Sequence, residues 1–284
     1  MMVRVAALAI LLSSAARAQS TDHELTFGVF PRRNAAETTR MFMPMAEQLG
    51  AKLKRKVQLV TSRDFDSFWL GVRERRYDIV HYNQYHYIRS SDFYEVVAHI
   101  QEGGKSTIAG AIFVRKDSGI TRLEQLRGRT VLFGGGEDAM IAYIANRYVM
   151  LQAGLKRDDF KPLFAVNPPN SILALNYGQA DAAGAGDGVL ELPVVKKAID
   201  PSGLTTLAVS PQLLQLPIAV KRGMSPQLRA AIEAVLLDLP KSDAGMDVLR
   251  AAVMTGIGKA RDRDYDPHRK IVQAVTQSDG NAER

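Results

Sequence analysis

The chain contains no cysteine among its 284 residues. Disulfide bonds, thiolate metal sites and a cysteine nucleophile are therefore excluded. A lipid-modified N-terminal cysteine is excluded as well, so we expect no lipid anchor. Because no disulfide can staple the fold, its stability has to come from a sizeable hydrophobic core.

The sequence also lacks a hydrophobic run that could span a bilayer, which takes about 20 residues. Its first residues combine a basic Arg4, a short apolar run at 5–12 and small residues ending in A-R-A at 16–18. This pattern is typical of a secretory signal peptide (1–18) that is cleaved after Ala18, and an uncleaved anchor is the alternative. We expect a mature protein that is exported to the periplasm.

Basic residues only slightly outnumber acidic residues in the sequence, 37 Lys and Arg against 30 Asp and Glu. The formal net charge is +7 at pH 7, and removal of Arg4 and Arg17 with the signal peptide leaves +5. No stretch interleaves basic and aromatic residues, so we do not expect nucleic acid to be a partner.

The order of the predicted elements indicates two α/β units. Strand-like segments at 25–30, 56–61 and 77–80 alternate with amphipathic helical segments, which is typical of a parallel sheet covered by helices. A second alternation begins near residue 113, and the chain is predicted to be helical from 226 to about 275.

We therefore predict an α/β fold of two lobes, each a mostly parallel sheet flanked by helices. Lobe 1 is predicted to comprise residues 19–112 and 217–284, and lobe 2 residues 113–216. The segments AGAIFVRKDS and LQLPIAVKRG connect the two alternations, and they predict a two-strand hinge with a cleft between the lobes.

Loops that follow the predicted strands carry most of the polar and aromatic candidates. Ligands in open parallel sheets bind beyond the carboxyl ends of the strands. Four loops are expected there: FPRRN, HYNQYHY, GGGED and NPPNS. We expect them to line the cleft, with Tyr82, Tyr85 and Tyr87 forming an aromatic wall.

With these segments assembled, the chain resembles the periplasmic solute-binding proteins of ABC transporters, in the family that binds phosphonate, phosphite and phosphate. The resemblance rests on LTFGVFPRRN, YDIVHYNQYHYI, AIFVRKDSGITRLEQLRGRTVLFG, YGQADAAGAGDGVLE and DRDYDPHRKIVQAV. It implies a type II periplasmic-binding fold, a small-molecule ligand held by hinge closure, an inner-membrane ABC permease as partner, and a monomer. It implies no enzyme activity, no catalytic residue, no cofactor and no metal.

The sequence departs from the family pattern at the ligand site. The later Tyr of the family is matched by Tyr87, but Asn83-Gln84 stands where the family has Gly-Pro. Where the family has a hydroxyl-rich turn that holds the phosphonate oxygens, this chain has Gly136-Glu137-Asp138. Carboxylates at that position predict a diverged ligand that is neutral, cationic or partly apolar.

The predicted ligand-binding residues come from both lobes. They are Arg32, Tyr82, Asn83, Tyr87, Glu137, Asp138, Asn170 and Asp187. For two of them another role is open: Asp138 could be only the N-cap of the following helix, with Glu137 pointing to solvent.

Other functions remain as alternatives. The same fold could be a ligand sensor that docks on a membrane histidine kinase. A less favoured alternative is a metal-assisted enzyme that uses His81 and His86, although their spacing is not that of a helical zinc site. GGGEDA also matches a dinucleotide fingerprint weakly. Phe65, Phe68 and Trp69 share a helical stripe, which predicts core contacts rather than a cofactor site.

Overall fold

The computed structural model of the chain describes residues 24–31 and 33–280. The predicted signal peptide and Arg32 lie outside the described residues. The described strands, in chain order, are β1 (Leu25–Val29), β2 (Val57–Thr61), β3 (Ile79–His81), β4 (Tyr94–Gln101), β5 (Thr107–Ile108), β6 (Gly110–Arg115), β7 (Thr130–Gly134), β8 (Lys161–Ala165), β9 (Ala182–Gly186), β10 (Leu204–Val209), β11 (Leu213–Leu214), β12 (Pro217–Lys221) and β13 (Gly256–Lys259). The α-helices are α1 (Ala35–Leu53), α2 (Phe65–Arg73), α3 (Gln84–Ser90), α4 (Asn146–Gln152), α5 (Pro168–Asn176), α6 (Pro193–Ala198), α7 (Pro226–Asp238), α8 (Asp243–Ala251) and α9 (Asp266–Ser278).

Polar side chains mark where several helices begin. Asn34, Asp64 and Ser225 each accept a hydrogen bond from a backbone N–H in the first turn of α1, α2 and α7. Those N–H groups have no partner inside the helix, so the caps stabilise the first turn by about 1 kcal/mol each.

The first lobe is built on a six-stranded sheet with the order β13-β4-β12-β3-β1-β2. Strand β1 pairs parallel with β2 and β3, whereas β12 is antiparallel to β3 and β4. Helices α1, α7 and α8 supply Phe42, Ile232 and Leu249 to one core of this lobe. A second core is rich in aromatic rings, including Tyr82 and Tyr87.

The second lobe is built on a five-stranded sheet with the order β10-β6-β9-β7-β8. Strand β7 pairs parallel with β8 and β9, and β6 is antiparallel to β9 and β10. The predicted two-lobed α/β architecture is confirmed. Both sheets are mixed rather than mostly parallel, because β6 and β12, the first strands after each crossing, run against their neighbours.

A two-stranded sheet joins the lobes. Strand β5 pairs antiparallel with β11, with Leu213 opposite Ile108 and Leu214 opposite Thr107. Strand β5 lies just before the first segment predicted as the hinge, and β11 ends on Leu214, the first residue of the second segment. Most of each predicted segment forms a strand inside a lobe instead, β6 in the second lobe and β12 in the first.

The last helix, α9, packs against the second lobe. Its Ile271 and Val275 belong to the same buried cluster as Tyr143 of that lobe. Further along, Asp279 forms a buried ion pair with Arg147 of α4, 2.7 Å between oxygen and nitrogen. The division of the chain into lobes at residues 112/113 and 216/217 stays a prediction.

Strand β13 was not predicted, since residues 256–259 were expected to be helical. A Cβ atom on Gly256 would lie 2.2 Å from the side chain of Gln101, and one on Gly258 would lie 2.3 Å from the ring of His99. The two glycines therefore allow β13 to approach β4, and this close contact between distant segments determines the strand.

Candidate functional site

The first wall of the cleft is formed by the end of β3 and the start of α3. Asn83 is the N-cap of α3, and its Oδ1 accepts a hydrogen bond of 2.9 Å from the N–H of His86. The segment predicted as a loop thus becomes the first turn of a helix. Asn83 stands where the resemblance implied Gly-Pro, and the capping bond is its local role.

Tyr82 and Tyr87 lie inside the first lobe and not on the cleft wall. Both side chains are fully buried. The hydroxyl of Tyr82 is 3.0 Å from that of Ser90, and the hydroxyl of Tyr87 donates to the carboxylate of Asp262. Burial raises the pKa of both phenols above the ordinary value. Their placement does not support the predicted aromatic wall.

Tyr85 is the tyrosine of this segment that is half-buried rather than fully buried. Its ring packs against the buried cluster that contains Tyr143 of the second lobe together with Ile271 and Val275 of α9. It also contacts Arg89, whose guanidinium carbon is 5.6 Å from the centre of the Tyr85 ring and 5.3 Å from that of Trp69. Arg89 is thus held by two aromatic faces at the edge of the contact between the lobes.

His86 is buried beneath aromatic rings of α2. Its ring stacks on Trp69 at 4.9 Å and on Phe65 at 6.2 Å between ring centres. Phe65 is exposed and Phe68 is buried, so only part of the predicted core stripe faces the core. The aromatic stack orients His86 and leaves its Nε2 atom directed at the opposite lobe.

The second wall is the loop between β7 and the helical segment that follows it. Asp138 of this loop places its Oδ2 atom 3.7 Å from Nε2 of His86, while its side chain stays 55% exposed. Its carbonyl oxygen accepts a hydrogen bond of 3.1 Å from Nδ2 of Asn83. His86, and more weakly Arg89, lower the pKa of the Asp138 carboxyl below its ordinary value.

The alternative that Asp138 is only an N-cap is wrong. The N-cap position before Met140 is occupied by Ala139, which has no side-chain cap. Glu137 forms an ion pair of 3.1 Å with Arg157 on the same lobe. Of the two acidic residues, Asp138 is the one that contacts the opposite lobe.

A π-helical turn, Met140–Ala145, follows this loop and leads directly into α4. The wider turn alters the usual bonding of the backbone carbonyl groups. The amide of buried Asn146 donates to the carbonyl oxygens of Ile141, Ala142 and Ala185 at 3.0–3.2 Å. The sequence analysis missed Asn146, and an asparagine inside a run of apolar helix residues was the available signal.

Asn170 and Asp187 lie at other points of the second lobe. Asn170 is exposed in the first turn of α5, where its N–H donates to Oδ1 of Asn167. The Asp187 carboxylate accepts a hydrogen bond of 3.1 Å from Gln212, which precedes the hinge strand β11. The structure therefore brings Asn83 and Asp138 into direct contact and places Asp187 beside the hinge.

The described residues, 24–31 and 33–280, contain no group of three His, Asp or Glu side chains arranged to hold a metal ion. His81 is buried between the rings of Phe30 and Phe42, and its Nδ1 is 3.0 Å from the carbonyl of Pro217. His81 and His86 thus lie in different surroundings. No helix within the described part of the chain has the length and apolar character needed to cross a membrane.

Two surface cavities, of about 430 and 520 Å³, lie away from the contact between the lobes. One is lined by residues of α1 and α7, and the other by residues around β2 and α2. Neither cavity includes a predicted ligand residue. The direct contact of the lobes at Asp138 remains the candidate site.

Residues 27–265 match the sequence profile of a family described as the phosphonate periplasmic substrate-binding proteins of ABC transporters. The chain belongs to this family. The predicted membership is confirmed, and the protein is a periplasmic substrate-binding protein of the phosphonate type rather than an enzyme.

Solved structures of substrate-binding proteins share this fold. PhnD1 from Prochlorococcus marinus, in complex with methylphosphonate, superposes with a TM-score of 0.76 at 18% identity, over 90% of this chain and 99% of that one. The binding component of an ABC phosphonate transporter from Pseudomonas aeruginosa gives 0.73 at 18%, over 92% and 89%. A Xanthomonas citri protein bound to ATP gives 0.76 at 16%, over 91% and 99%. These superpositions show that the chain has the type II periplasmic-binding fold. At such low identities they do not indicate which ligand it binds.

Proposed function

We propose that this substrate-binding protein captures a small solute between its lobes by hinge closure and delivers it to an inner-membrane ABC permease. We also propose that its solute has diverged from phosphonate and is neutral, cationic or partly apolar. The observation that supports this ligand class is the carboxylate of Asp138, which lies where the two lobes meet.

Electrostatics supports the exclusion of an oxyanion. A carboxylate and a phosphonate oxygen about 4 Å apart repel each other by about 4 kcal/mol at an effective dielectric constant of 20. The loop from Gly134 to Asp138 has no hydroxyl side chain that could donate a hydrogen bond to offset this repulsion.

The first turn of α5 adds little binding capacity for an anion. Pro168 and Pro169 have no backbone N–H, and the N–H of Asn170 is bonded to the side chain of Asn167. A Cβ on Gly134 would lie 2.3 Å from Pro168, so the end of β7 packs tightly on this turn. The usual advantage of a helix N-terminus for anion binding is therefore reduced here.

The proposed ligand residues are Asn83, Tyr85, Asp138 and Asn170, with Asp187 at the hinge side. Arg32 remains a predicted ligand residue. Because only a solute that contacts both lobes stabilises the closed state, the contacts of Asn83 and Asp138 are the central ones.

A thermal-shift screen of the purified protein tests this function. The solutes are methylphosphonate, 2-aminoethylphosphonate, phosphite, phosphate, a set of amines and a set of apolar metabolites. We expect an amine or a neutral solute to stabilise the protein, by about 2.7 kcal/mol at 100 times Kd. A large stabilisation by either phosphonate would contradict the proposed ligand class.

Delivery to a permease is tested by the genes that neighbour this one. Permease and ATPase genes support transport, whereas a histidine kinase gene without them would contradict delivery and indicate a sensor.

A further inference from the structure

Two side chains of the first lobe contact one carboxylate-bearing residue of the second lobe, and the positive charge of a third acts on it. Asn83 donates to the carbonyl of Asp138, His86 directs Nε2 at its carboxylate, and Arg89 contributes to the lowered pKa of that carboxyl. A neutral amide, an imidazole and a guanidinium are donors that suit a small oxyanion.

The first lobe therefore presents an anion half-site, and the chain supplies the anion itself. Asp138 is on a loop of the second lobe, so its contacts with Asn83 and His86 also connect the two lobes directly. Tyr85 of the same helix packs against the buried cluster to which residues of the second lobe and of α9 both contribute.

We propose that Asp138 determines the specificity of the cleft: its carboxylate acts as an internal anion that occupies Nε2 of His86, while its carbonyl oxygen occupies the amide of Asn83, and so excludes oxyanion solutes. This inference rests on the proposed solute-binding function and deepens it. Removal of the carboxylate exposes Nε2 of His86, and the cleft then binds small oxyanions such as inorganic phosphate and methylphosphonate.

The surroundings of His86 make it possible to measure the replacement of the Asp138 carboxylate by a bound anion. Trp69 is the only tryptophan of the chain, and it stacks on the ring of His86. A change in the charge or position of the group beside His86 alters the emission of Trp69. Fluorescence therefore reports on the half-site without any knowledge of the natural solute.

The experiment compares Asp138→Ser and Asp138→Asn with the original protein. Inorganic phosphate and methylphosphonate are titrated at pH 7, with Trp69 fluorescence and calorimetry as readouts. We expect at least tenfold tighter binding of both anions by Asp138→Ser, and a changed Trp69 emission in both variants before any anion is added. Asp138 is largely exposed at its side chain, so neither change removes core packing.

Two further variants isolate the cause. Asp158→Ser removes an exposed carboxylate of the same lobe and changes the net charge equally, so it is expected to leave anion affinity unchanged. His86→Phe in the Asp138→Ser background keeps the stack on Trp69 but removes the Nε2 donor, and the gained affinity is expected to fall again.

An equal gain in anion affinity in Asp138→Ser and Asp158→Ser would show that the change in net charge alone causes the effect. That result would overturn the inference. No gain in Asp138→Ser, with unaltered Trp69 emission, would overturn it as well. Both results leave the capture of a solute by the original protein untouched, because the thermal-shift screen tests that separately. Tight anion binding by the original protein would refute the inference and the proposed ligand class, but not solute capture.

Discussion

The Nε2 atom of His268 lies 3.1 Å from the carbonyl oxygen of Leu214. Because Leu214 belongs to the hinge strand β11 and His268 to α9, the last helix is bonded directly to the connection between the lobes. Tyr265 adds a bond of 2.8 Å to the carbonyl of Gln215, and Gln84 donates to Leu214 from the first lobe. The hinge strand is thus held by residues from two separate parts of the chain.

The buried His268 predicts a pH dependence of stability. Burial lowers its pKa from 6.5 to about 4. Between pH 6.5 and pH 4 the imidazole of His268 is protonated in the unfolded chain but stays neutral in the folded protein. The free energy of unfolding therefore has its full value above pH 6.5 and decreases as the pH falls towards 4. Linkage gives a loss of about 2 kcal/mol between pH 7.5 and pH 5.

Urea unfolding of the original protein and of His268→Gln at both pH values checks this prediction. The variant lacks the titrating group, so its free energy of unfolding is expected to fall by about 2 kcal/mol less than that of the original protein. The same pH dependence in both proteins would show that His268 titrates normally in the fold.

The ion pair of Arg147 and Asp279 predicts a large effect of a single substitution. The side chain of Arg147 is 0% exposed and that of Asp279 is 6% exposed. Asp279→Ala leaves a buried guanidinium without its carboxylate, which costs about 3–5 kcal/mol of unfolding free energy. The melting temperature and the urea midpoint measure the loss.

A matched control is available on the surface of the first lobe. Asp247 pairs with Arg250 on α8, and both side chains are more than half exposed. Asp247→Ala is expected to cost less than about 1 kcal/mol, because exposed pairs contribute little. Similar losses in the two variants would mean that burial does not control the strength of the Arg147 pair.

The close packing around Gly28 predicts that an added methyl group lowers the stability of the protein. A Cβ at this position would lie 2.4–2.6 Å from the ring of Tyr77, which packs across β1. Gly28→Ala is expected to destabilise the protein by about 1–3 kcal/mol or more through overpacking. Gly203→Ala is the control, because a Cβ there has nothing within 4 Å. Thermal unfolding that ranks the two variants equally would contradict the close packing at Gly28.

The bond from Tyr87 to Asp262 predicts a structural role for a tyrosine that the sequence placed in the ligand site. Tyr87→Phe keeps the ring in its pocket against Tyr82 and Tyr265 and removes only the hydroxyl. We expect a loss of about 1–2 kcal/mol in unfolding free energy. The affinity for a solute found in the screen is expected to change less than twofold. A large loss of affinity with normal stability would return Tyr87 to the ligand site.

The alternation of strands and helices was predictable because it depends on local hydrophobic periodicity. The N-cap residues Asn34 and Asp64 likewise act on backbone groups a few residues away. Strand β13 was not predictable, since its glycines matter only through Gln101 and His99, which are more than 150 residues away. The direction of β12 also depends on distant partners, and it makes the sheet mixed.

Within the candidate site, the sequence predicted four loops on the cleft, and the structure shows direct contact between two of them, at Asn83 and Asp138. The sequence did not separate Asp138 from Glu137, because the two carboxylates are chemically alike and adjacent. The structure separates them through their partners: Arg157 lies within reach of Glu137, and His86 within reach of Asp138. For Tyr82 and Tyr87 the sequence could not predict the burial that the structure shows, since aromatic residues after a strand can face a cleft or a core.

The sequence by itself determined the compartment expected for this protein, the α/β class, the family and the absence of every thiol-based chemistry. These properties depend on composition and on patterns within short segments. Only the tertiary structure decided which polar groups meet between the lobes. That choice depends on contacts such as Asn83 with Asp138, whose partners are brought together by the packing of two sheets and not by their spacing in the chain.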